Sequence, residues 1–434
     1  MISTVSAVSI AAYMFSLLKF RGKWIQQQVA FLGVFLAGLT IIGQLDVLLP
    51  IYFVVSLLPF IGHIRRISVT TGLLIVYFSL YLLYGLIAQS ITGTIITFVA
   101  KMWQLVVFFL VVESNITVEQ DDYKRTITVA FLMECLLGVY LLINGTMVDR
   151  INGLVRLVSN SQPITGNLST VILPLMCLYY SLNRGNSRRT RWLLWISIGM
   201  LVWIVLSGTR GYTLEFVGTL FLLFLDYFTN KSTSEATQRN RAIILFLLGG
   251  MAIALVFVVP GIMEKLSSVL RLRQDVGIRT FENDAIKEFI KESSLLNAGF
   301  GIGLGGTGGT NAVLRDALYN QFSLGMWNQR HYITSSGALF HSLYSNILLC
   351  LGVFGIVVTF LINIKMWKTI SRICDDDLLL RRMLHMFQLS FLLMNYYRWS
   401  AVCGIAEMIV LALVLKYVEC NKRYEQGKGG ELVE

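Results

Sequence analysis

The sequence predicts an all-α polytopic integral membrane protein, with roughly 12–14 transmembrane helices and one large external loop that contains amphipathic helices. Two observations predict this fold class. Of the 434 residues, 55% are hydrophobic and 14% are charged, with a mean hydropathy of +0.67, whereas soluble domains carry about 25% charged residues. Apolar runs of about 17–25 residues, each long enough to cross a hydrocarbon core of about 30 Å, also recur along the chain.

The apolar runs place the spans in order along the chain, with ends uncertain by several residues. They cover residues 3–18, 29–43, 46–61, 69–89, 94–112, 126–143, 163–182, 191–208, 212–228, 242–259, 341–364, 380–397 and 401–418. Basic clusters lie at 19–23, 63–66, 184–191, 231–241 and 416–428. They mark the cytoplasmic side, so the amino terminus is expected outside and the carboxyl terminus inside. The first run has no basic residues before it and is expected to be a retained span rather than a signal peptide.

The spans divide the chain into three predicted parts. Residues 1–259 form a transmembrane helical bundle, 260–340 a large periplasmic loop, and 341–434 the last transmembrane helices with a short cytoplasmic tail. Apolar residues at helical spacing in 261–296 predict short amphipathic helices near the membrane surface. The following NAGFGIGLGGTGGTN, residues 297–311, is too rich in glycine for a stable element and is expected to be mobile.

Several classes of function are disfavoured by the composition. The six cysteines show no disulfide framework and no CxxC pattern, and no cluster with metal-ligand spacing lies in the outer loops, so no metal and no cofactor are expected. Asp375–Asp377 could bind a metal, but a run of carboxylates at a helix start favours capping. The glycine-rich stretch lacks the Lys-Ser/Thr ending of a phosphate-binding P-loop. The net charge of +11 is scattered over short loops, which indicates topology and no nucleic-acid partner.

Four arginines break the topological rule that outer loops are poor in basic residues. They are Arg150 and Arg156 after the sixth span, Arg210 in the turn of VLSGTRGYTLE, and Arg279 in the large loop. An arginine at membrane depth is costly unless it finds a partner or lines a wet cavity. Its planar fork suits phosphate oxygens, so the four predict an outward-facing pocket for an anionic, diphosphate-bearing lipid headgroup.

Structural pairing is the alternative interpretation of these arginines. Arg210 has Glu215 nearby in the sequence, and Arg279 has Glu282 and Asp284. For one arginine alone the two interpretations are about equally supported, because pairing and snorkelling are common. Four arginines on the same side favour a binding site.

A histidine lies at the outer mouth of an apolar span, at the start of HSLYSNILLCLGVFGIVV. With an ordinary pKa of about 6.5, the His341 ring is mostly neutral near pH 7 and can accept a proton from a hydroxyl. A capping or packing histidine at a helix start is the alternative. His331 is the rival within the loop, whereas His63 and His385 lie toward the cytoplasm.

The order of four segments resembles the bacterial O-antigen polymerase and O-antigen ligase superfamily. The segments are RINGLVRLVSNSQPITGNLS, LSGTRGYTLE, GIRTFENDAIKEF with NAGFGIGLGG, and FHSLYSNILLCLGVFGIVV. The matching positions are Arg150 and Gly153; Thr209, Arg210 and Gly211; Arg279 with Gly299, Gly301, Gly303 and Gly305; and His341, Ser342, Tyr344, Gly352 and Gly355. Two departures occur: Asn160–Pro163 replaces the family's Asn-Pro pair, and Ser342 replaces an asparagine beside the histidine.

The resemblance implies a GT-C-like, metal-independent glycosyltransferase at the outer face of the bacterial inner membrane. It implies transfer of a glycan from an undecaprenyl-diphosphate carrier to a sugar hydroxyl. His341 would be the general base, Arg210 and Arg279 would hold the leaving diphosphate, and the substrate contacts would be Arg150, Arg156, Trp327, His331, Tyr332 and Tyr344. The expected partners are the undecaprenyl-diphosphate-linked oligosaccharide and membrane lipid, and a chain-length regulator protein is a further candidate.

Four interpretations of the function stay open. The divergence of the motifs favours a polymerase that joins lipid-linked repeat units of a surface polysaccharide. A ligase would instead transfer the glycan to the lipid A-core. A lipid-linked oligosaccharide flippase or other transporter is less favoured, because such proteins usually show internal repeats and this sequence shows none. A structural assembly partner is disfavoured by the arginines predicted to lie in the outer loops.

Overall fold

The computed structural model describes residues 67–89, 91–98, 102, 104–115, 117, 148–151, 154–159, 162–163, 278–305, 316, 342–394, 408 and 411–422. Eight predicted spans lie outside these residues, apart from Pro163: 3–18, 29–43, 46–61, 126–143, 163–182, 191–208, 212–228 and 242–259. The chain divides into two compact units. The first unit is Met1–Gly43, Val118–Asp275 and Ile370–Met394, and the second unit is Gln44–Thr117, Val276–Thr369 and Asn395–Glu434.

Helix α1, Val69–Ala88, coincides with the predicted fourth span. It begins at Ser68, whose Oγ accepts the Thr71 N–H at 3.3 Å, and it ends where the Gln89 N–H donates to the Gly85 carbonyl at 2.8 Å. At 1.5 Å per residue its 20 residues extend about 30 Å, the thickness of a hydrocarbon core. Apolar side chains remain exposed along it, as on a lipid-facing helix: Val69, Leu73, Val76, Leu80, Leu83 and Ile87.

Helices α2, Ile91–Thr97, and α3, Gln104–Glu113, fall within or beside the predicted fifth span. Both pack against α1. The apolar side chains of α3 from Leu105 to Val112 are all buried. This part of the second unit is therefore a helical core with α1 on its exposed side.

Helices α4, Ile278–Glu292, and α5, Leu295–Phe300, lie in the predicted large loop. In α4 the apolar residues Ala285, Ile286 and Phe289 are buried, while Lys287 and Lys291 are exposed. This confirms an amphipathic helix in the loop. Ser294 begins α5, because its Oγ accepts the Asn297 N–H at 3.3 Å.

Helix α6, Leu343–Ile373, corresponds to the predicted eleventh span and continues beyond it. It is broken at Gly352, where φ is 66° and ψ is −166°. Within the described residues, α1 and α6 are the two helices long and apolar enough to cross a membrane. Residues 411–422, at the predicted thirteenth span, are also helical and largely buried.

The first unit contributes helix α7, Leu378–Met394, and a small antiparallel sheet to the described residues. Strands β1, Val148–Ile151, β2, Leu154–Ser159, and β3, Gln162–Pro163, pair in that order. This sheet was not predicted from the sequence. The two residues between β1 and β2 are Asn152 and Gly153, the pair that two-residue hairpin connections favour.

Candidate functional site

The predicted site residues fall into two groups. Arg210, Trp327, His331, Tyr332 and His341 lie outside the described residues. For Arg150, Arg156 and Arg279 the structure describes the backbone, and Tyr344 is described in full.

The β1–β2 hairpin brings Arg150 and Arg156 onto neighbouring strands. In the backbone register Arg156 lies opposite Asp149, and Arg150 lies opposite Val155. The two arginines are thus one register position apart. Both arginines therefore lie on one hairpin, at adjacent register positions that belong to opposite faces of the sheet.

Arg279 is the second residue of α4, in its first turn. That turn contains no acidic residue. The partial positive charge of a helix amino terminus disfavours a cation there and favours an anion. Asp284, a candidate structural partner of Arg279, is paired with Lys287 Nζ at 2.9 Å.

The start of α6 shows which residue caps the helix beside His341. Ser342 is buried, and its Oγ accepts the Ser345 N–H at 3.4 Å, a long hydrogen bond. The Asn346 Nδ2 donates to the Ser342 carbonyl at 2.6 Å. Ser342 therefore takes the capping position that the alternative interpretation gave to His341. Serine and asparagine are both preferred helix caps, so either residue could fill this position.

Tyr344 is the second residue of α6 and is partly buried. It follows His341, the predicted base, by three positions and lies on the first turn of the helix. The structure thus places it beside the start of the helix, where the sequence predicted a substrate contact.

The glycine-rich stretch forms a fixed junction, which we call the glycine junction: Gly301–Gly305 together with the Leu349 and Cys350 carbonyls. The Ile302 N–H donates to the Leu349 carbonyl at 3.0 Å, and the Gly303 N–H donates to the Cys350 carbonyl at 3.1 Å. The break at Gly352 frees carbonyls at the end of the first part of α6, and the junction satisfies two of them. Residues 301–305 are all buried. The prediction of a mobile loop is wrong for this part of the stretch.

The same junction also contacts α1 and α2. The Gln89 Nε2 donates to the Ile302 carbonyl at 2.9 Å, and the Thr94 Oγ1 donates to the Leu304 carbonyl at 2.9 Å. A Cβ at Gly85 would lie 2.5 Å from the Leu304 oxygen. The absence of a side chain at Gly85 is therefore what lets the junction approach α1.

Backbone conformation and close packing account for the glycines at positions 301 and 352. Gly301 has φ 77° and ψ −176°, and Gly352 has φ 66° and ψ −166°, a backbone region that essentially glycine alone adopts. A Cβ at Gly301 would clash with the Cys350 backbone, and one at Gly352 would clash with the Gly299 carbonyl. At Gly299, by contrast, nothing lies within 4 Å of an added Cβ. Gly301 and Gly352 thus fix the backbone where α6 is broken.

A second polar group, which we call the Lys365 cluster, joins α1, α3 and α6 through Ser68, Thr71, Glu113 and Lys365. The Lys365 Nζ lies 2.7 Å from Thr71 Oγ1, 3.0 Å from Ser68 Oγ and 3.2 Å from Glu113 Oε1. Both hydroxyls donate to Glu113 Oε1, each at 2.8 Å, and the Ser68 N–H donates to Oε2 at 2.8 Å. Each of the three ammonium protons therefore has its own acceptor.

Glu113 lies one residue beyond the predicted fifth span, and its surroundings favour the carboxylate. Burial raises the pKa of Glu113, but the hydrogen bonds from Ser68 and Thr71 and the charge of Lys365 outweigh burial, so the net pKa is lowered. The Lys365 ammonium also lies 4.4 Å from the centre of the Phe109 ring. This cluster was not predicted from the sequence, because its members are separated by up to 297 residues.

Two further polar features lie in the first unit. Asp377 Oδ1 accepts the Leu380 N–H at 2.9 Å, so this residue of the acidic run caps α7, as predicted. The His385 Nε2 lies 3.1 Å from Ser371 Oγ, linking α7 to the end of α6. Neither arrangement has the form of a catalytic site.

No model of a known protein family matches the chain, and no curated protein matches it.

Proposed function

We propose that the protein polymerises undecaprenyl-diphosphate-linked oligosaccharide repeat units of a surface polysaccharide, such as O-antigen, at the outer face of the bacterial inner membrane. The observation that carries this proposal is the order of the arginine, glycine and histidine segments along the chain. The predicted topology puts all four arginines and His341 on the outer side of the membrane.

In the proposed reaction His341 accepts the proton of the acceptor sugar hydroxyl. The hydroxyl oxygen forms a bond to the anomeric carbon of the donor glycan, and the bond from that carbon to the phosphate oxygen breaks. The electron pair leaves with undecaprenyl diphosphate. Arg210 and Arg279 stabilise the charge that develops on the diphosphate, and Arg150 and Arg156 supply further contacts to it.

Two features support these roles. Arg279 lies in a first helical turn without an acidic residue, a position that an anion would stabilise. Ser342 caps α6, so His341 is not needed as the cap.

The test is a gel of cell-surface polysaccharide from a strain that lacks the gene and is complemented with wild type, His341→Ala or His385→Ala. We expect a full ladder with wild type and with His385→Ala, because His385 bonds Ser371 in the first unit. With His341→Ala we expect core carrying a single repeat unit and no ladder, although the protein is inserted in the membrane at wild-type amount. His331→Ala tests the rival histidine in the same way.

Other patterns identify the alternatives. Bare core with polymer accumulated on the lipid carrier would indicate the ligase. Bare core with unpolymerised lipid-linked units held on the cytoplasmic side would indicate a transporter. A full ladder with His341→Ala would overturn the assignment of the base.

A further inference from the structure

The segment from α5 to the glycine junction, residues 295–305, carries apolar side chains that are exposed in the part of the chain that the structure describes. Leu295 is 92% exposed, Leu296 70% and Phe300 53%. By sequence the segment belongs to the external loop, where such exposure would be unfavourable in water.

The contacts of residues 295–305 with α1 and α6 give the depth of this segment in the membrane, measured from the Lys365 cluster. The Lys365 cluster brings together the start of α1, the end of α3 and the end of the predicted eleventh span, so it marks one edge of the bundle. Tyr81 lies thirteen residues along α1 from Ser68, about 20 Å at 1.5 Å per residue. The Tyr81 hydroxyl donates to the Phe300 carbonyl at 3.0 Å.

Helix α6 gives an independent measure of the same depth. The rings of Phe300 and Phe354 lie 5.9 Å apart. Phe354 precedes Lys365 by eleven residues, about 17 Å along the helix. Both helices thus place Phe300 about 17–20 Å from the cluster, well inside a hydrocarbon core of about 30 Å.

The short length of α5 keeps its other end at membrane depth as well. Its six residues extend about 9 Å. Whether α5 runs from Phe300 toward the Lys365 cluster or away from it, Leu295 and Leu296 lie between about 8 and 29 Å from the cluster along the membrane normal.

Irregular backbone at membrane depth requires that its polar groups have partners in the protein. The junction meets this requirement. The N–H groups of Ile302 and Gly303 bond to α6, and the Gly301 N–H bonds to the Asn297 carbonyl at 2.8 Å. The carbonyls of Phe300, Ile302 and Leu304 accept hydrogen bonds from Tyr81, Gln89 and Thr94.

We propose that residues 295–305 form a re-entrant segment of the large loop, and that Leu295, Leu296 and Phe300 contact the acyl chains of the bilayer. This surface continues the exposed apolar faces of α1 and α6, where Leu80, Phe354 and Val357 are also exposed. The inference needs the protein to lie in a membrane but is independent of the reaction that it catalyses.

The experiment is photo-crosslinking of the full-length protein in vesicles of phosphatidylethanolamine and phosphatidylglycerol. The photoreactive residue p-benzoylphenylalanine replaces Leu296, or Leu80 on α1 as a lipid-facing control, or Lys287 on α4 as a water-facing control with a 72% exposed side chain. Each variant must keep the unfolding midpoint of the unsubstituted protein. Mass spectrometry then identifies the adduct.

We expect acyl-chain adducts at Leu296 and Leu80, and none above the non-irradiated background at Lys287. An acyl adduct at Leu80 without one at Leu296 would overturn the proposal, and so would adducts to headgroups alone at Leu296. A cross-link from Leu296 to a second copy of the chain would also overturn it, because the face would then be a subunit interface.

Discussion

The Gly303 N–H donates to the Cys350 carbonyl at 3.1 Å, two residues before α6 breaks at Gly352. A loop that is predicted to be external thus ends one part of a helix that is long and apolar enough to cross a membrane. The backbone of the loop replaces the next turn of the helix as the partner of these carbonyls. Changes in this loop will therefore act on the helix that follows His341.

Gly352→Ala should destabilise the protein strongly. An alanine in this backbone region costs about 1–3 kcal/mol, and its Cβ would also clash with the Gly299 carbonyl. Gly72→Ala is the matched control, because nothing lies within 4 Å of a Cβ there and α1 is helical around it. It should leave stability unchanged or raise it by about 0.5–1 kcal/mol. Thermal unfolding midpoints in detergent compare the two, and equal midpoints would show that the break does not depend on glycine.

Lys365→Met should lower the free energy of unfolding by about 1–3 kcal/mol, because it leaves a partly buried carboxylate without its cation. The side chains of Lys365 and Glu113 are 22% and 20% exposed, so water screens them little. Glu113→Gln should have a similar cost, and the double variant should cost less than the sum of the two. Additive costs would mean that the pair does not interact.

The contribution of Glu113 should depend on pH. Its pKa is lowered in the folded protein from an ordinary value of 4.5. The stabilisation is therefore complete above about pH 4.5 and is lost as the pH falls through the lower, folded-state pKa. The difference in unfolding midpoint between wild type and Glu113→Gln should be constant from pH 7 down to about 4.5 and shrink below it. If the difference in midpoint instead grew as the pH fell, the pKa of Glu113 would not be lowered in the folded protein.

Ser342→Ala should remove the cap of α6 and cost about 1 kcal/mol, whereas Ser342→Asn should cost little because asparagine caps equally well. If the cap positions His341, the alanine variant should also shorten the polysaccharide ladder. The asparagine variant should restore a ladder of wild-type length. Unfolding midpoints and the surface-polysaccharide gel report on the two effects separately, and a stable Ser342→Ala variant with a full ladder would rule out the capping role.

The parts of the fold that were predictable from sequence are those with a local signal. Helix α1 has an unbroken apolar run and a serine cap, and Asp377 caps α7 at the start of its run. The hairpin had a local signal as well, the Asn152–Gly153 pair, but the arginines around it were considered only for their charge.

The glycine junction could not be predicted because its order comes from distant residues. Glycine alone indicates a flexible backbone, and the partners that hold residues 302 and 304 are up to 213 positions away. For the candidate site, the residue types and a predicted side of the membrane could be taken from the sequence. The positions of Arg210 and His341 lie outside the described residues.

The distances in sequence within the second unit bear on how the chain is assembled during synthesis. Helices α1 and α3 leave the ribosome early, but Lys365, the cation that pairs with Glu113, is synthesised 252 residues later. The Phe300 carbonyl, which accepts a hydrogen bond from the Tyr81 hydroxyl, is likewise synthesised 219 residues after Tyr81. The first helices therefore lack these two long-range partners until the last third of the protein is made. Chains that end before residue 342 should be exposed to quality-control proteases in this unfinished state.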